Sequence, residues 1–373
     1  MKENEVALDF FENVAQLIEK ARKFVGRTAD LTMCVTYFEV GRLIVEEEQG
    51  GKARAKYGTK LLMKLSEILN ERFEKGYSET TLRSARKFYL VYRFSIQQAM
   101  LAKSKNNQMI SDFFDKSQKQ QAMLVEFNPF TLSWSHYLIL MRIKNDEERR
   151  FYEIEATNQQ WGYRQLQREY GSSLYERLAL SRDKEGVMKL SKKGQTIEKP
   201  RDMLKNPLIL EFLGMEEYAK YSETELEQAL IDNLQKFLLE LGKGFLFEAR
   251  QKRFTFDEDH FTVDLVFYNR LLQCYVIIDL KTEKLKHQDL GQMQMYVNYF
   301  DRYVKTDKEA PTVGMLLCKE KNDSVVRLTL PENSNIYATE YHLYLPDKAL
   351  LQEKLVEWTE AFENYHELVK SSR

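Results

Sequence analysis

Asp264, Asp279 and Lys281 are the residues whose types and spacing carry chemistry. The run Thr262-Val263-Asp264-Leu265-Val266-Phe267 sets one carboxylate among apolar neighbours. Fifteen residues on, Tyr275-Val276-Ile277-Ile278-Asp279-Leu280-Lys281 sets a second carboxylate and an ammonium two positions apart. Both runs read as strands, along which side chains alternate faces. Val276, Ile278 and Leu280 then point one way, and Asp279 and Lys281 the other. If the strands pair antiparallel about a turn centred between Leu271 and Leu272, Asp264 stands opposite Asp279 on the same face. Two unpaired carboxylates side by side repel, and one is driven towards protonation. A divalent cation removes the conflict, and hard oxygen ligands with room for water and phosphate suit Mg²⁺ or Mn²⁺ better than zinc. The spacing also fits a structural ion pair, with Lys281 neutralising one aspartate, and it leaves both readings open.

Periodicity supplies the elements that must hold these residues. Ser222-Glu223-Thr224-Glu225 is a capping box opening a helix with Leu226, Leu230, Leu234, Phe237 and Leu241 inward and Gly242 past its end. Strands are expected at Phe245–Phe256, Phe261–Tyr268 and Cys274–Lys281. An amphipathic helix follows from Gln288 to Tyr303, then strands at Thr312–Cys318, Val325–Leu330 and Ile336–Tyr341, and a terminal helix from Lys348 to Leu368. The core order is α-β-β-β-α-β.

The first half reads as helices, at Phe10–Ala21, Val35–Gln49, Lys60–Phe73 and Glu79–Tyr92. Gly76-Tyr77-Ser78 makes a turn, and Ser78 is placed to cap the last of them. That helix has an apolar face of Leu82, Ala85, Tyr89 and Tyr92 and a basic stripe of Arg83, Arg86, Lys87 and Arg93. The outline fits a DNA-binding helix-turn-helix, and equally a plain helical hairpin. Trp134 to Tyr137 and Trp161-Gly162-Tyr163-Arg164 read as core and turn anchors, with Arg164 and Arg168 able to meet phosphates. Residues 181–207 lack a periodic apolar pattern and read as a linker. The expected organisation is a helical domain over 1–180, the linker over 181–207, an α/β domain over 208–345 and a C-terminal helix over 346–373.

Composition narrows the function classes. The chain has 373 residues, 43% hydrophobic, which excludes disorder as its main state and suggests two domains. Its 56 Lys+Arg against 57 Asp+Glu give no bulk basic charge. Residues 1–200 nonetheless carry 34 basic and 27 acidic groups and residues 201–373 carry 22 and 30, with 13 basic against 4 acidic over 51–110. The basic half is where phosphate contacts are expected. Three scattered cysteines argue against a disulfide framework or a zinc knuckle. Neither a signal peptide nor a bilayer-spanning run is read, so the expected location is the cytoplasm, without a membrane partner. The five histidines lack metal-ligand spacing, no nucleophile elbow is present, and Gly50-Gly51-Lys52 lacks the spacing of an ATP loop.

Beyond these readings the chain resembles the YhcG-like family of bacterial nucleases within the PD-(D/E)XK superfamily. In the second half the resemblance rests on Phe237 to Phe245, Ala249 to Arg253, Asp264 to Tyr268, Ile278-Asp279-Leu280-Lys281 and His287 to Tyr299. In the first half it rests on Gly76-Tyr-Ser, Arg86 to Tyr89, Leu132 to Tyr137 and Ser173 to Arg177. Val263 replaces the superfamily's proline, and Asp279 stands for its usual glutamate. The resemblance implies a helical N-terminal domain followed by a restriction-endonuclease-like α/β domain with a central mixed sheet. It implies Mg²⁺- or Mn²⁺-dependent hydrolysis of DNA phosphodiesters, endo or exo, in repair, recombination or defence against foreign DNA. Asp264, Asp279 and the Leu280 carbonyl would hold the metal, and Lys281 would orient water or stabilise charge. Glu227 matches the helix carboxylate and Gln292 the helix glutamine, with Gln294 its rival. Arg250, Gln251 and Lys252 would contact backbone phosphates. Two other classes stay open: a non-catalytic DNA-binding or regulatory protein on this scaffold, and an interaction subunit with protein partners in a restriction or defence complex. A homo-oligomer is also open, through Tyr296, Tyr299 and Phe300 if these are exposed.

Overall fold

The computed structural model describes residues 26, 28–48, 58–73, 76–103, 129–180, 182, 184–216, 220–256, 258–331 and 333–353. The expected helix at Phe10–Ala21 and most of the terminal helix lie outside them. The chain divides into two compact units, Met1–Leu166 and Gln167–Arg373.

The first unit is helical. Its helices are α1 (28–48), α2 (Gly58–Phe73), α3 (Glu79–Lys103), α4 (Trp134–Leu140) and α5 (Asp146–Asn158), and α6 (Tyr163–Gly171) begins at its end. Ser78 caps α3, accepting the Thr81 N–H at 3.2 Å, and α3 runs eleven residues beyond the expected Tyr92. The added length carries no glycine or proline. Aromatic rings make the core, with Phe88 packed on Tyr92, Phe130, Trp134 and Tyr137 at centroid distances of 4.9–5.3 Å. Gly41 lets α1 and α3 touch, since a Cβ there would lie 2.1 Å from the Ala85 carbonyl oxygen.

The second unit continues with α7 (Leu174–Leu180) and α8 (Lys184–Lys193), and then the short strand β1 (Leu208–Ile209). Next come α9 (Glu223–Asp232), α10 (Leu234–Leu241), β2 (Phe245–Phe256), β3 (Asp259–Asn269) and β4 (Cys274–Lys284). The remainder is α11 (His287–Tyr299), β5 (Val313–Glu320), α12 (Asp323–Thr329) and β6 (Ile336–His342). The six strands form one mixed sheet in the order β1-β6-β5-β4-β3-β2. β2, β3 and β4 are antiparallel neighbours, and β4, β5, β6 and β1 run parallel. Helices cover both faces. Leu226, Leu230, Phe237 and Leu241 of α9 and α10 pack on Leu265, Phe267, Ile278 and Leu317. Leu290, Met293 and Val297 of α11 pack on Val266, Ile277 and Leu316. Gly314 lets α11 lie close, because a Cβ there would come within 2.9 Å of Met293 and Val297.

Three expectations are corrected. Residues 325–330 are not a strand. Asn322 accepts the Ser324 and Val325 N–H groups and starts α12, so the apolar residues read as strand lie on a short helix. The helix from the capping box is two helices, broken at Asn233. The segment 181–207 holds α8 and a 3₁₀ turn at Pro200–Met203, anchored by single buried residues such as Leu190, Met203 and Lys205 rather than by a periodic stripe.

Candidate active site

The site forms where β3 and β4 fork. Their ladder pairs Cys274 with Asn269 through to Ile278 with Leu265 and stops there, which centres the turn between Leu271 and Leu272 as the spacing expects. One step further, the same register sets Asp264 opposite Asp279. The strands separate at that step, so Asp264 reaches across with its side chain, and its Oδ2 accepts the Leu280 N–H at 2.8 Å. A carboxylate here takes a backbone donor that the ladder leaves unpaired.

Asp279 is buried, and its Oδ2 is shut off from solvent. Lys281 Nζ lies 2.8 Å from that oxygen and pairs with it. Burial first, and then the charge of Asp264, push the Asp279 carboxyl up to about 7 despite Lys281. Lys281 also lies 3.5 Å from Glu223 Oε2. Burial works against its charge, but Asp279 and Glu223 outweigh it and hold the ammonium above its usual range. Lys281 is therefore a fixed cation at neutral pH and no proton acceptor.

Gln251 links a third carboxylate to this pair. Its amide donates to Asp264 Oδ1 at 3.2 Å and to Glu227 Oε2. Its backbone sits at φ 47°, in the left-handed region, in the middle of β2. Such a conformation costs a non-glycine residue about 1–3 kcal/mol and needs its surroundings to fix it. Glu227 is buried, and its Oε1 accepts from Arg250 Nε at 3.1 Å. It meets Asp264 only through Gln251, and among the described residues no three acidic, histidine or cysteine side chains gather as a ready metal cage.

Gln292 is exposed on α11 and donates to the hydroxyl of Tyr296. That hydroxyl is raised by burial, with the charges of Asp279 and Asp264 adding to it, so Gln292 lies on the carboxylate side of the helix. Gln294 instead donates to Asn298 at 3.3 Å. Arg250 is engaged with Glu227 and Gln228, and Lys252 with Glu248. Arg168 is no phosphate contact. It pairs with Glu169, Glu211 and Glu240 inside the second unit, held by acids far along the chain. In the first unit Arg83 pairs with Glu79 and Arg86 with Glu48, and Arg93 packs over the Phe94 ring. Lys87 is exposed. Tyr296 and Phe300 are buried and offer no surface for an oligomer. The sequence reading missed Glu223 at the site, although it lies four residues before Glu227 and so shares a face of α9.

The chain matches two family models: the DUF1016 N-terminal domain over residues 13–177 and the YhcG PDDEXK nuclease domain over residues 201–356. It is 38% identical over 350 residues to the protein named "Putative nuclease YhcG" of Escherichia coli (strain K12), covering 92% of each chain. The chain belongs to the YhcG family. Among solved structures, this YhcG-family chain is similar to a repair endonuclease from Pyrococcus abyssi, at 18% identity and TM-score 0.23, over 35% of this chain and 50% of that one. An EndoMS–dsDNA complex matches at 17% identity and TM-score 0.25, over 36% and 50%. The matches span about half of each of those chains. The forked sheet carrying Asp264, Asp279 and Lys281 is this chain's form of the YhcG PDDEXK domain.

The electrostatics give a stability prediction. In metal-free protein the Asp279 carboxyl is raised from 3.8 to about 7. Between those values the folded state binds a proton that the unfolded state has released. Stability therefore falls as pH rises through that window and stays lower above it. Asp279→Asn, measured in chelator, raises the melting temperature by several degrees at pH 8, and the gap closes towards pH 4. Equal melting curves at pH 8 would show that Asp279 carries no such strain.

Proposed function

We propose that this chain is a divalent-metal-dependent nuclease that hydrolyses DNA phosphodiester bonds. The observation that carries the reading is the fork, where a buried carboxylate paired with one lysine faces a second carboxylate whose charge works against it. Structural ion pairs satisfy their charges, whereas this pair retains mutual repulsion that a cation would relieve. The residues fit Mg²⁺ or Mn²⁺, which Asp264, Asp279 and the Leu280 carbonyl would hold. When bound, such an ion polarises the scissile phosphate and acidifies a water.

The chain's own groups supply the rest. Lys281 cannot take a proton, so it stabilises negative charge on the phosphate and orients the attacking water. Asp279, and after it Glu223, keep Lys281 charged. Gln251 holds Asp264 and Glu227 in place, and Glu227 serves the site through that amide. Gln292 positions a water or phosphate from α11. Lys87 and the Arg83, Arg86 and Arg93 stripe provide DNA contacts in the helical unit, and Arg250 and Lys252 provide them beside the fork. Nuclease family membership supports the reaction class over a non-catalytic scaffold, because the intact carboxylate pair and lysine remain.

Calorimetric titration with Mn²⁺ tests the reading without relying on turnover. Wild-type protein binds the ion with proton release near pH 6, as the raised Asp279 deprotonates. Asp264→Asn and Asp279→Asn each weaken binding at least about tenfold. Unchanged binding in both variants would remove the site from metal chemistry.

A further inference from the structure

Beside α11 a second site is built that none of these roles uses. It is a cavity of about 490 Å³ between α11 and the β2–β3 hairpin, within the size range of small-ligand pockets. Its walls are aromatic. Phe254 stacks on Tyr299 at 4.0 Å and 15°, and Phe261 stacks on Phe254 at 5.6 Å and 28°. Phe256 and Tyr303 stand 51% and 63% exposed at its mouth. A soluble surface seldom leaves such rings open in one place without a use for them.

The polar groups among the rings narrow the ligand. Gln294 and Asn298 line the cavity, joined by one hydrogen bond, and together they present a carbonyl and an amide N–H₂. Arg302 lines it as the cation, and Asp259 as the acid. Arg302 and Tyr303 reach the rim because α11 ends in a π-helical turn, Phe300–Val304, closed by Lys305 N–H donating to the Phe300 carbonyl at 2.9 Å. Such turns re-aim side chains and recur at functional positions. Parallel rings, a paired donor and acceptor, and an arginine are the complement of a flat heterocycle carrying a phosphate.

The cavity is also coupled to the fork. Phe254, its inner wall, packs edge-on against Tyr296 at 5.6 Å, and the Tyr296 hydroxyl takes the Gln292 amide on the carboxylate side.

We propose that this cavity binds an unpaired nucleobase of the strand cut at the fork, so that the substrate is DNA with single-stranded or splayed bases. The inference rests on the nuclease reading and specifies its substrate class. Phe256 and Tyr303 clamp the base by stacking, Gln294 and Asn298 meet its edge, and Arg302 meets the adjoining phosphate.

The test uses full-length protein in chelator, so that binding is read without cleavage. The probes are a fluorescent single-stranded oligothymidine and a matched oligomer lacking bases. Wild type binds the base-bearing strand more tightly. The double variant Phe256→Ala/Tyr303→Ala loses about ten- to a hundredfold on that strand, since stacking on a single ring carries an affinity of this order. It binds the abasic strand as wild type does, and Phe256→Tyr/Tyr303→Phe restores the preference. Equal wild-type binding to both strands overturns the proposal, as does an equal loss on both. Sedimentation that shows a dimer broken by the double variant, with oligothymidine binding unchanged, also overturns it and assigns the face to a second copy of the chain. Metal-dependent plasmid cleavage by wild type is scored separately. Cleavage with no base preference fails the cavity alone, and base preference with no cleavage fails the nuclease reading alone.

Discussion

Asp279→Asn and Lys281→Ala each lower metal-dependent DNA cleavage by about 10²–10³-fold or more, the scale of losing one preorganised charge in an active site. The two losses have different origins. Asp279→Asn removes the charged oxygen that the proposed metal site needs while keeping the side chain's shape. Lys281→Ala removes the one cation that the fork holds against both Asp279 and Glu223. Neither change opens the core, because both side chains lie at the fork, where the β3–β4 ladder has ended at Leu265 and Ile278. The melting behaviour separates lost chemistry from lost structure: Asp279→Asn is inactive yet more stable in chelator at pH 8. Function held at a stability cost is the expected signature of such a site. A plasmid-nicking rate in either variant within threefold of wild type would contradict these roles.

The second large effect concerns the buried charges that fasten α7 and β1 to α10. Arg177 and Glu240 are both fully buried. Glu240 accepts from Arg177, from Arg168 at 3.2 Å and from the Ile209 N–H at 3.0 Å. Arg177 spends its other donors on the Ser172 carbonyl and hydroxyl and on the Pro207 carbonyl. Burial alone would raise the Glu240 carboxyl, but Arg177, Lys205 and Arg168 together hold it down to about 2. Its stabilising contribution is therefore present above the unfolded value of 4.5 and is lost as pH falls towards 2. Glu240→Ala removes the buried carboxylate that accepts from both Arg177 and Arg168 and destabilises the second unit by about 3–5 kcal/mol. Urea denaturation at pH 7 measures it. A loss under 1 kcal/mol would show that the cluster relaxes around the missing acid.

Much of this was legible in the residues because it depends on short-range rules. The capping box needs only Ser222 and Glu225, and the structure returns both of its hydrogen bonds. The β3–β4 turn follows from period-two alternation in two apolar runs, and the register agrees. What escaped depends on partners far along the chain. Arg168 looks like any surface arginine until Glu211 and Glu240 fold against it. Gln251 reads as a phosphate contact because nothing in its neighbours reveals the left-handed backbone that turns it onto Glu227 and Asp264. Val325 and Val326 carry strand propensity, and the Asn322 cap overrides it. Residues 181–207 lack a stripe because each anchor there is a lone side chain inserted into a core built by other elements. Spacing brought the carboxylate pair into view, and Glu223 became visible only once α9 lay beside Lys281.

The most direct measurement is cleavage by the full-length wild-type chain of supercoiled, linear, single-stranded and branched DNA, in Mg²⁺, in Mn²⁺ and in chelator, with Asp279→Asn beside it. The fork as described predicts cleavage of at least one form in Mg²⁺ or Mn²⁺, none in chelator and none by the variant. Cleavage that persists in chelator, cleavage by Asp279→Asn at the wild-type rate, or no cleavage of any form by a wild-type protein that binds DNA would contradict it.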